Sequence, residues 1–137
     1  MRKVAIALAL TLAAPMAWAQ TPGANALYCA SAQPDEAIAG CTALIATDKQ
    51  TDKMLVYAYN NRAWAYHRKG EDVKGLRDVD MALILAPKNA AVIETRAEIY
   101  EKLGKRDQAV ADYRTALKLD PKMKEAQDGL KRLNATP

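Results

Sequence analysis

The chain has 137 residues, of which 50% are hydrophobic and 26% are charged, with 6 Gly and 6 Pro. This composition is typical of a globular protein and excludes collagen-like and intrinsically disordered chains. The length suffices for one domain and is too short for two with separate hydrophobic cores. The formal charge of +4 does not indicate nucleic-acid binding, because Lys and Arg are interleaved with Asp and Glu along the chain. A phosphate-binding surface needs clustered basic residues.

The first residues have the pattern of an export signal. Residues 1–3 are a basic start, an apolar run covers residues 4–18, and an Ala-Trp-Ala triplet ends at Ala19. This pattern predicts a signal peptide over residues 1–19, with cleavage between Ala19 and Gln20. The apolar run of about 15 residues is too short for a lasting membrane span. We therefore expect a periplasmic or secreted protein without stable membrane insertion after cleavage.

The two cysteines, Cys29 and Cys41, both follow the predicted cleavage site. Because export leads to an oxidising compartment, we expect them to form a structural disulfide; free or intermolecular thiols are the alternative. Eleven intervening residues do not fit a redox CxxC motif. A zinc site lacks ligands, since His67 is the single histidine.

A repeat of 34 residues organises the rest of the chain. Residues 56–89 and 90–123 share ten identities, among them Gly70 with Gly104 and Pro87 with Pro121. Each unit predicts two helices. In the first unit, the apolar residues of the first helix recur at helical spacing, and Lys69-Gly70 ends that helix. The second helix is predicted to bury Val73, Leu76, Val79, Ala82 and Leu83, and to end before its proline.

This pattern resembles the tetratricopeptide repeat (TPR) family. On the first helix, the family pattern has a large residue, a small residue and Tyr. On the second helix, it has small and large residues and a closing Pro. Both units fill these positions: Tyr59, Ala63, Tyr66, Gly75, Val79, Ala82 and Pro87, then Ile93, Ala97, Tyr100, Ala109, Tyr113, Ala116 and Pro121. Departures are Arg62 and Arg96 for the usual Leu, Gly75 for Ala, and Val79 for an aromatic residue. We expect both arginines to form structural salt bridges, with Asp78, Asp80 or Asp112 as partners.

Two further segments complete the predicted fold. Residues 20–55 form a degenerate first TPR-like hairpin, in which the disulfide joins two helices and a long loop follows. Residues 124–137 form a capping helix and tail, with an apolar stripe that covers the last repeat. The predicted fold class is therefore all-α: an α-solenoid of about three TPR helix-turn-helix units plus a C-terminal capping helix.

Catalytic machinery is missing from the sequence. It contains no phosphate-binding glycine loop, no zinc-protease motif and no serine-hydrolase motif. Ser31 is the only serine and His67 the only histidine, which leaves no basis for a nucleophilic triad. We expect no enzyme, no cofactor and no metal.

The resemblance places the partner-binding surface on the first helices of the repeats, which line a concave groove. The groove residues that it implies are Tyr57, Asn60, Trp64, His67, Arg68, Glu94, Glu98, Glu101 and Lys102. Trp64 is either an interface anchor or packs against a neighbouring helix or loop. A carboxylate clamp is not expected, because Glu94 and Thr95 stand where such clamps carry Lys or Arg.

The charged residues of the groove can be interpreted in more than one way. Glu94, Glu98 and Glu101 form one acidic stripe, interpreted as a solvated helix face, with contact to a basic partner segment as the alternative. His67 and Glu101 occupy equivalent places in adjacent units and are a candidate ion pair. The predicted function is an exported protein–protein interaction module that presents the groove to a peptide or helix of an envelope partner. The alternative is a structural subunit that binds through its convex face or cap.

Overall fold

The computed structural model of the chain describes residues 21–137, and the predicted signal peptide lies outside the described residues. Residues 21–137 form seven α-helices, as the repeat predicts, and the all-α class is confirmed. The helices are α1 (Pro22–Cys29), α2 (Pro34–Ile45), α3 (Asp52–Arg68), α4 (Asp72–Leu85), α5 (Ala90–Lys102), α6 (Arg106–Leu119) and α7 (Lys124–Arg132).

Local sequence sets the helix ends in both repeats. The side chains of Thr51 and Asn89 accept hydrogen bonds from backbone N–H groups in the first turns of α3 and α5. Such N-caps satisfy donors that have no partner within the helix. After these helices, Gly70 and Gly104 adopt φ angles of 74° and 72°, a conformation that glycine takes without strain. The α3 helix begins at Asp52, before the predicted unit boundary at residue 56, because its cap lies at Thr51.

The helices form two layers with a defined curvature. Each helix packs against the next one along the chain, and α1 with α3, α3 with α5 and α5 with α7 also contact each other. Within residues 21–137, α2 and α4 do not contact each other, and neither do α4 and α6. The odd-numbered helices are therefore closer together, so their side is concave and α2, α4 and α6 form the convex outer layer.

Small residues allow the paired helices to approach closely. Ala63 and Ala97 are fully buried. A Cβ atom added to Gly75 would lie 3.0 Å from the carbonyl oxygen of Ala63 and 3.0 Å from Cδ1 of Ile99. The helices α3 and α4 therefore cross where the side chains are short.

One predicted core position is wrong. Val73 was expected in the buried stripe of α4 but is 61% exposed, whereas Val79 is fully buried. At 100° per residue, Val73 lies about 120° around the helix from Val79. The buried face is completed instead by Asp72, Gly75 and Asp78.

The two arginines that depart from the family pattern bind aspartates within their own repeats. Nε and Nη2 of Arg62 each donate to a carboxylate oxygen of Asp78 at 2.7 Å. Arg96 makes the equivalent two bonds to Asp112 at 2.7 and 2.9 Å. Both pairs are more than two-thirds buried. The bidentate geometry fixes the angle between the two helices of each unit, as the predicted structural salt bridges require.

The first hairpin is joined by the Cys29–Cys41 disulfide. Its Cys residues, together with Leu44 and Ala58, form a buried cluster that connects the hairpin to α3. Two groove-side residues of α3 add polar contacts: Asn61 Nδ2 donates to the carbonyl of Cys29 at 3.3 Å, and Arg68 donates to the carbonyl of Ala32. The hairpin is thus part of the same solenoid.

Candidate functional site

The concave groove is the surface formed by α3 and α5, with the first hairpin at one end and α7 at the other. All nine residues predicted for it line one of four clefts on this surface. The clefts have volumes of about 410, 490, 310 and 180 Å³. Tyr57 and Asn60 line the first of these, and Lys102 lines the smallest. The cleft of about 310 Å³ shares a lining residue with each of the other three, namely Asn60, Trp64 and Glu98, so the four clefts adjoin one another.

Trp64 lies at the centre of the groove. Its side chain lines both the cleft beside the first hairpin and the cleft between α3, α5 and α7. It is 40% exposed and stacks on His67 of the same helix, with ring centroids 5.3 Å apart. Of the two interpretations of Trp64, an interface anchor fits its exposure and its place in two clefts better than packing against a neighbouring helix or loop does. An aromatic ring in such a position offers a large apolar contact at a small entropic cost.

Two acceptor oxygens beside Trp64 are buried without donors. Oδ1 of Asn60 and Oε1 of Glu94 each expose less than 1 Å² and accept no hydrogen bond within residues 21–137. Both side chains line the cleft of about 310 Å³. Because buried polar atoms nearly always have a partner, these two oxygens mark the floor of the cleft as an unusually polar environment.

The acidic stripe is half-buried, so its interpretation as a solvated helix face is wrong. Burial in the cleft, together with the neighbouring carboxylates of Glu98 and Glu125, raises the pKa of Glu94 to about 8. Burial also raises the pKa of Glu98. Near neutral pH, Glu94 is thus mostly protonated, and a nearby cation would favour its ionised form.

Glu101 belongs to a closed network instead. It accepts hydrogen bonds from Tyr113 Oη at 2.7 Å and from Nε and Nη2 of Arg132 at 3.0 Å each. Burial acts to raise the pKa of Glu101, but these donors hold it below its usual value. The network attaches the capping helix to α5 and α6, and Nη2 of Arg132 also lies 4.0 Å from Oε1 of Glu98.

The candidate ion pair between His67 and Glu101 is wrong. Nδ1 of His67 lies 2.6 Å from Oδ1 of Asp72, which is buried at the start of α4. Glu101 turns toward Arg132, as described above. Arg68 is likewise committed to the first hairpin through Ala32. His67, Arg68 and Glu101 therefore each have a structural partner within the solenoid.

Sequence reasoning missed the contribution of α7 to the groove. Glu125 lines the cleft with Glu94, and Arg132 lines the smallest cleft with Glu98. The 34-residue period already indicated this contribution, because Glu98 lies one period after Trp64 and Arg132 lies one period after Glu98. The capping helix thus occupies the place of a next first helix. Asn61 and Thr95 are further cleft residues outside the predicted set.

Within residues 21–137, no group of three or more His, Cys, Asp or Glu residues is arranged to hold a metal ion. No helix in this part of the chain has the length and apolar character needed to span a membrane.

Comparison with known proteins shows which proteins this chain resembles. The family profile for the tetratricopeptide repeat matches residues 95–123. Mitochondrial import receptor subunit TOM34 of Rattus norvegicus is 32% identical over 104 residues, which are 76% of this chain and 33% of the relative. The chain thus spans about a third of the length of this relative.

Solved structures agree in fold. The first TPR domain of human RPAP3 superposes with a TM-score of 0.71 at 25% identity, over 82% of this chain and 86% of that one. The first TPR of Spaghetti (RPAP3), bound to the HSP90 peptide SRMEEVD, gives a TM-score of 0.65 at 27% identity, over 74% and 77%. The chain thus contains a tetratricopeptide repeat over residues 95–123, and it is similar in sequence to TOM34 and in sequence and fold to the first TPR domain of RPAP3.

Proposed function

We propose that the chain is an exported adaptor of the cell envelope, whose concave groove binds a peptide or helix of a partner protein. The observation that carries the proposal is the cleft between α3, α5 and α7, where exposed Trp64 stands beside the donor-free oxygens of Asn60 and Glu94. A bound segment would cover the Trp64 ring and offer hydrogen-bond donors to the polar side chains that line the cleft. Burial of the exposed Trp64 ring on binding favours association.

The charges of the cleft indicate a basic segment as the ligand. Glu94, Glu98 and Glu125 converge there. A Lys or Arg side chain would supply donors, favour the ionised form of Glu94, and contact the face of the Trp64 ring. An acidic C-terminus such as SRMEEVD, which the related RPAP3 domain binds, would be repelled, because Glu94 and Thr95 stand in place of clamp cations.

Export is supported by two features. Residues 1–19 have the pattern of a signal peptide. The Cys29–Cys41 disulfide is of the kind that persists in an oxidising compartment and is rare in the cytosol. The proposed location of the partner is therefore the periplasm or another extracytoplasmic space. Release of residues 1–19 is checked by the mass of the protein recovered from the envelope, where a retained N-terminus would contradict export.

Peptide titration tests the groove directly. Trp64 is the only tryptophan in residues 21–137, so its fluorescence reports binding next to the cleft. Two peptides of equal length are compared, one rich in Lys and Arg and one ending in SRMEEVD. We expect saturable binding of the basic peptide to the wild type, and a loss of at least tenfold in affinity with Glu98→Lys.

The matched control is Asp107→Lys, which makes the same change of charge at an exposed position of the convex layer. We expect this variant to bind like the wild type. Stronger binding of the acidic peptide, or equal losses in both variants, would refute the groove as a site for a basic segment.

Capture from the native envelope fraction then identifies the partner. The baits are the wild type and the double variant Trp64→Ala, Glu98→Lys, both first shown to be equally helical and disulfide-bonded. A protein that is retained by the wild type alone binds the groove. A protein that stays on both baits supports the second candidate function, a structural subunit that binds through its convex face, where Val73 and Ile84 are exposed.

A further inference from the structure

The outward face of α4 exposes large apolar side chains. Val73, Met81 and Ile84 are 61%, 43% and 73% exposed. The next repeat has the same fold, yet its equivalent residues 34 positions later are Asp107, Thr115 and Lys118. The TPR packing therefore does not require apolar residues at these positions, and water would favour polar ones. This difference between two otherwise similar helices marks the face of α4 as an interaction surface.

A stripe of four residues on this face is symmetric. Val73, Arg77, Asp80 and Ile84 follow one another at intervals of four, three and four residues, which places them in one line along the helix. The stripe runs for about 16 Å at a rise of about 1.5 Å per residue. Its two ends are β-branched apolar residues and its two central residues carry opposite charges.

The central charges are available for an external contact. Arg77 and Asp80 are both exposed, and neither takes part in an ion pair within the described part of the chain. Residues three apart are neighbours on a helix, but no ion pair joins Arg77 to Asp80 in this structure. The structurally used pair Arg62–Asp78 lies on the inner side of the same repeat.

We propose that this stripe binds a second copy of the chain, with the two α4 helices antiparallel about a twofold axis between Arg77 and Asp80. The rotation that relates the copies exchanges positions 73 with 84 and 77 with 80. Val73 then meets Ile84 of the other copy, and Arg77 meets Asp80 of the other copy. Each contact occurs twice, as an interface on a twofold axis requires.

Charge complementarity is what selects a second copy as the occupant. Side-by-side parallel packing of the two helices would place Arg77 opposite Arg77 and Asp80 opposite Asp80, which is repulsive. The antiparallel arrangement turns both contacts into ion pairs and joins the apolar ends at the same time. Met81, at the edge of the stripe, extends the apolar contact toward half-buried Leu76 of the other copy.

The dimer leaves both concave grooves open. Since α4 belongs to the convex layer, the two grooves face away from each other and each remains accessible. If each groove binds the peptide proposed above, the dimer is bivalent. It can then join two partner molecules, or bind a partner with repeated segments with greater avidity. Self-association itself does not depend on the peptide.

Sedimentation equilibrium of the purified full-length product tests the proposal. One helix pair buries less than the standard interface of about 1,600 Å², so the measurement extends to about 500 µM, where a Kd in the high micromolar range is resolved. We expect the wild type to pass from monomer to dimer with concentration, without larger species.

Charge reversal supplies the specific readout. Arg77→Asp and Asp80→Arg each convert two attractive contacts into repulsive ones, and we expect each to raise the dissociation constant by about tenfold. The double variant Arg77→Asp, Asp80→Arg restores opposite charges across the axis and is expected to regain the wild-type constant. If Arg77 and Asp80 had only a structural role within one copy, the double variant would not recover the wild-type dissociation constant.

Ile84→Lys is the second variant, since Lys118 shows that the same position of the next repeat accepts lysine. It should weaken the dimer by at least tenfold while leaving helicity and groove peptide binding unchanged. A wild type that stays monomeric at all concentrations would overturn the proposal. So would equal dimerisation of the wild type and both single charge variants, or a double variant that is as weak as the single ones.

Discussion

Replacing Gly129 by Ala measures how closely the capping helix packs on the last repeat. A Cβ atom at this position would lie 2.6 Å from Cε1 of Tyr113 and nearer still to two other atoms of the ring. Tyr113 is fully buried and its hydroxyl is held by Glu101. Because the ring is rigid and enclosed, α7 must shift away from it to accept the methyl group.

The expected magnitude is the difference of two terms. Overpacking in a close-packed core costs about 1–3 kcal/mol, whereas Ala in place of Gly gains about 0.5–1 kcal/mol of helix propensity. Since the displaced helix also strains the Arg132–Glu101 contact, we place the loss at about 1–2 kcal/mol in the free energy of unfolding. For a domain of this size, the melting temperature falls by about 4–8 °C.

The assay is urea and thermal unfolding followed by circular dichroism, with the disulfide intact. Gly23→Ala in α1 is the matched control, because a Cβ at Gly23 has no atom within 4 Å. We expect this control to be neutral or slightly more stable than the wild type. The reasoning is refuted if Gly129→Ala is as stable as the wild type, or if the two alanine variants lose the same stability.

Three further predictions use the same unfolding measurement. Reduction of Cys29–Cys41 should cost about 3 kcal/mol, the chain-entropy value for a loop of this length, and an unchanged midpoint would show that the hairpin does not need the bond. Asp112→Asn should cost about 1–3 kcal/mol, because the largely buried guanidinium of Arg96 loses its counter-charge; a loss below about 0.5 kcal/mol, as at an ordinary surface site, would contradict this. Glu94 has a folded-state pKa raised to about 8, so its contribution to stability is full below the unfolded pKa of about 4.3 and is lost as the pH rises through about 8. Glu94→Gln should flatten the decline in stability between these pH values, and a decline equal to that of the wild type would refute the assignment.

Much of the fold was predictable because its determinants are local. The 34-residue period, the turn glycines and the prolines specify where each helix pair begins and ends. The pairing of the two cysteines follows from the expected oxidising compartment, and the structure contains the disulfide. Val73 was misplaced because its apolar character suggested burial, although its angle from Val79 already directed it outward.

The groove was predictable only in part. Its position on the first helices came from the family resemblance, and the structure puts all nine residues in clefts on that surface. The partners of its charges were not predictable: His67 contacts Asp72, and Glu101 contacts Arg132. Which of several equally spaced charges meet depends on distances between helices that are far apart in sequence.

The sequence by itself determined the helical repeat, the capping helix and the absence of recognisable catalytic motifs, since helix periodicity and capping act over a few residues. Only the tertiary structure decided that the acidic stripe is half-buried and that Glu94 carries a pKa of about 8. That raised pKa arises first from burial of Glu94 and then from the neighbouring carboxylates of Glu98 and Glu125, the second of which α7 contributes. Desolvation depends on how all neighbouring helices pack together, so no local pattern encodes it.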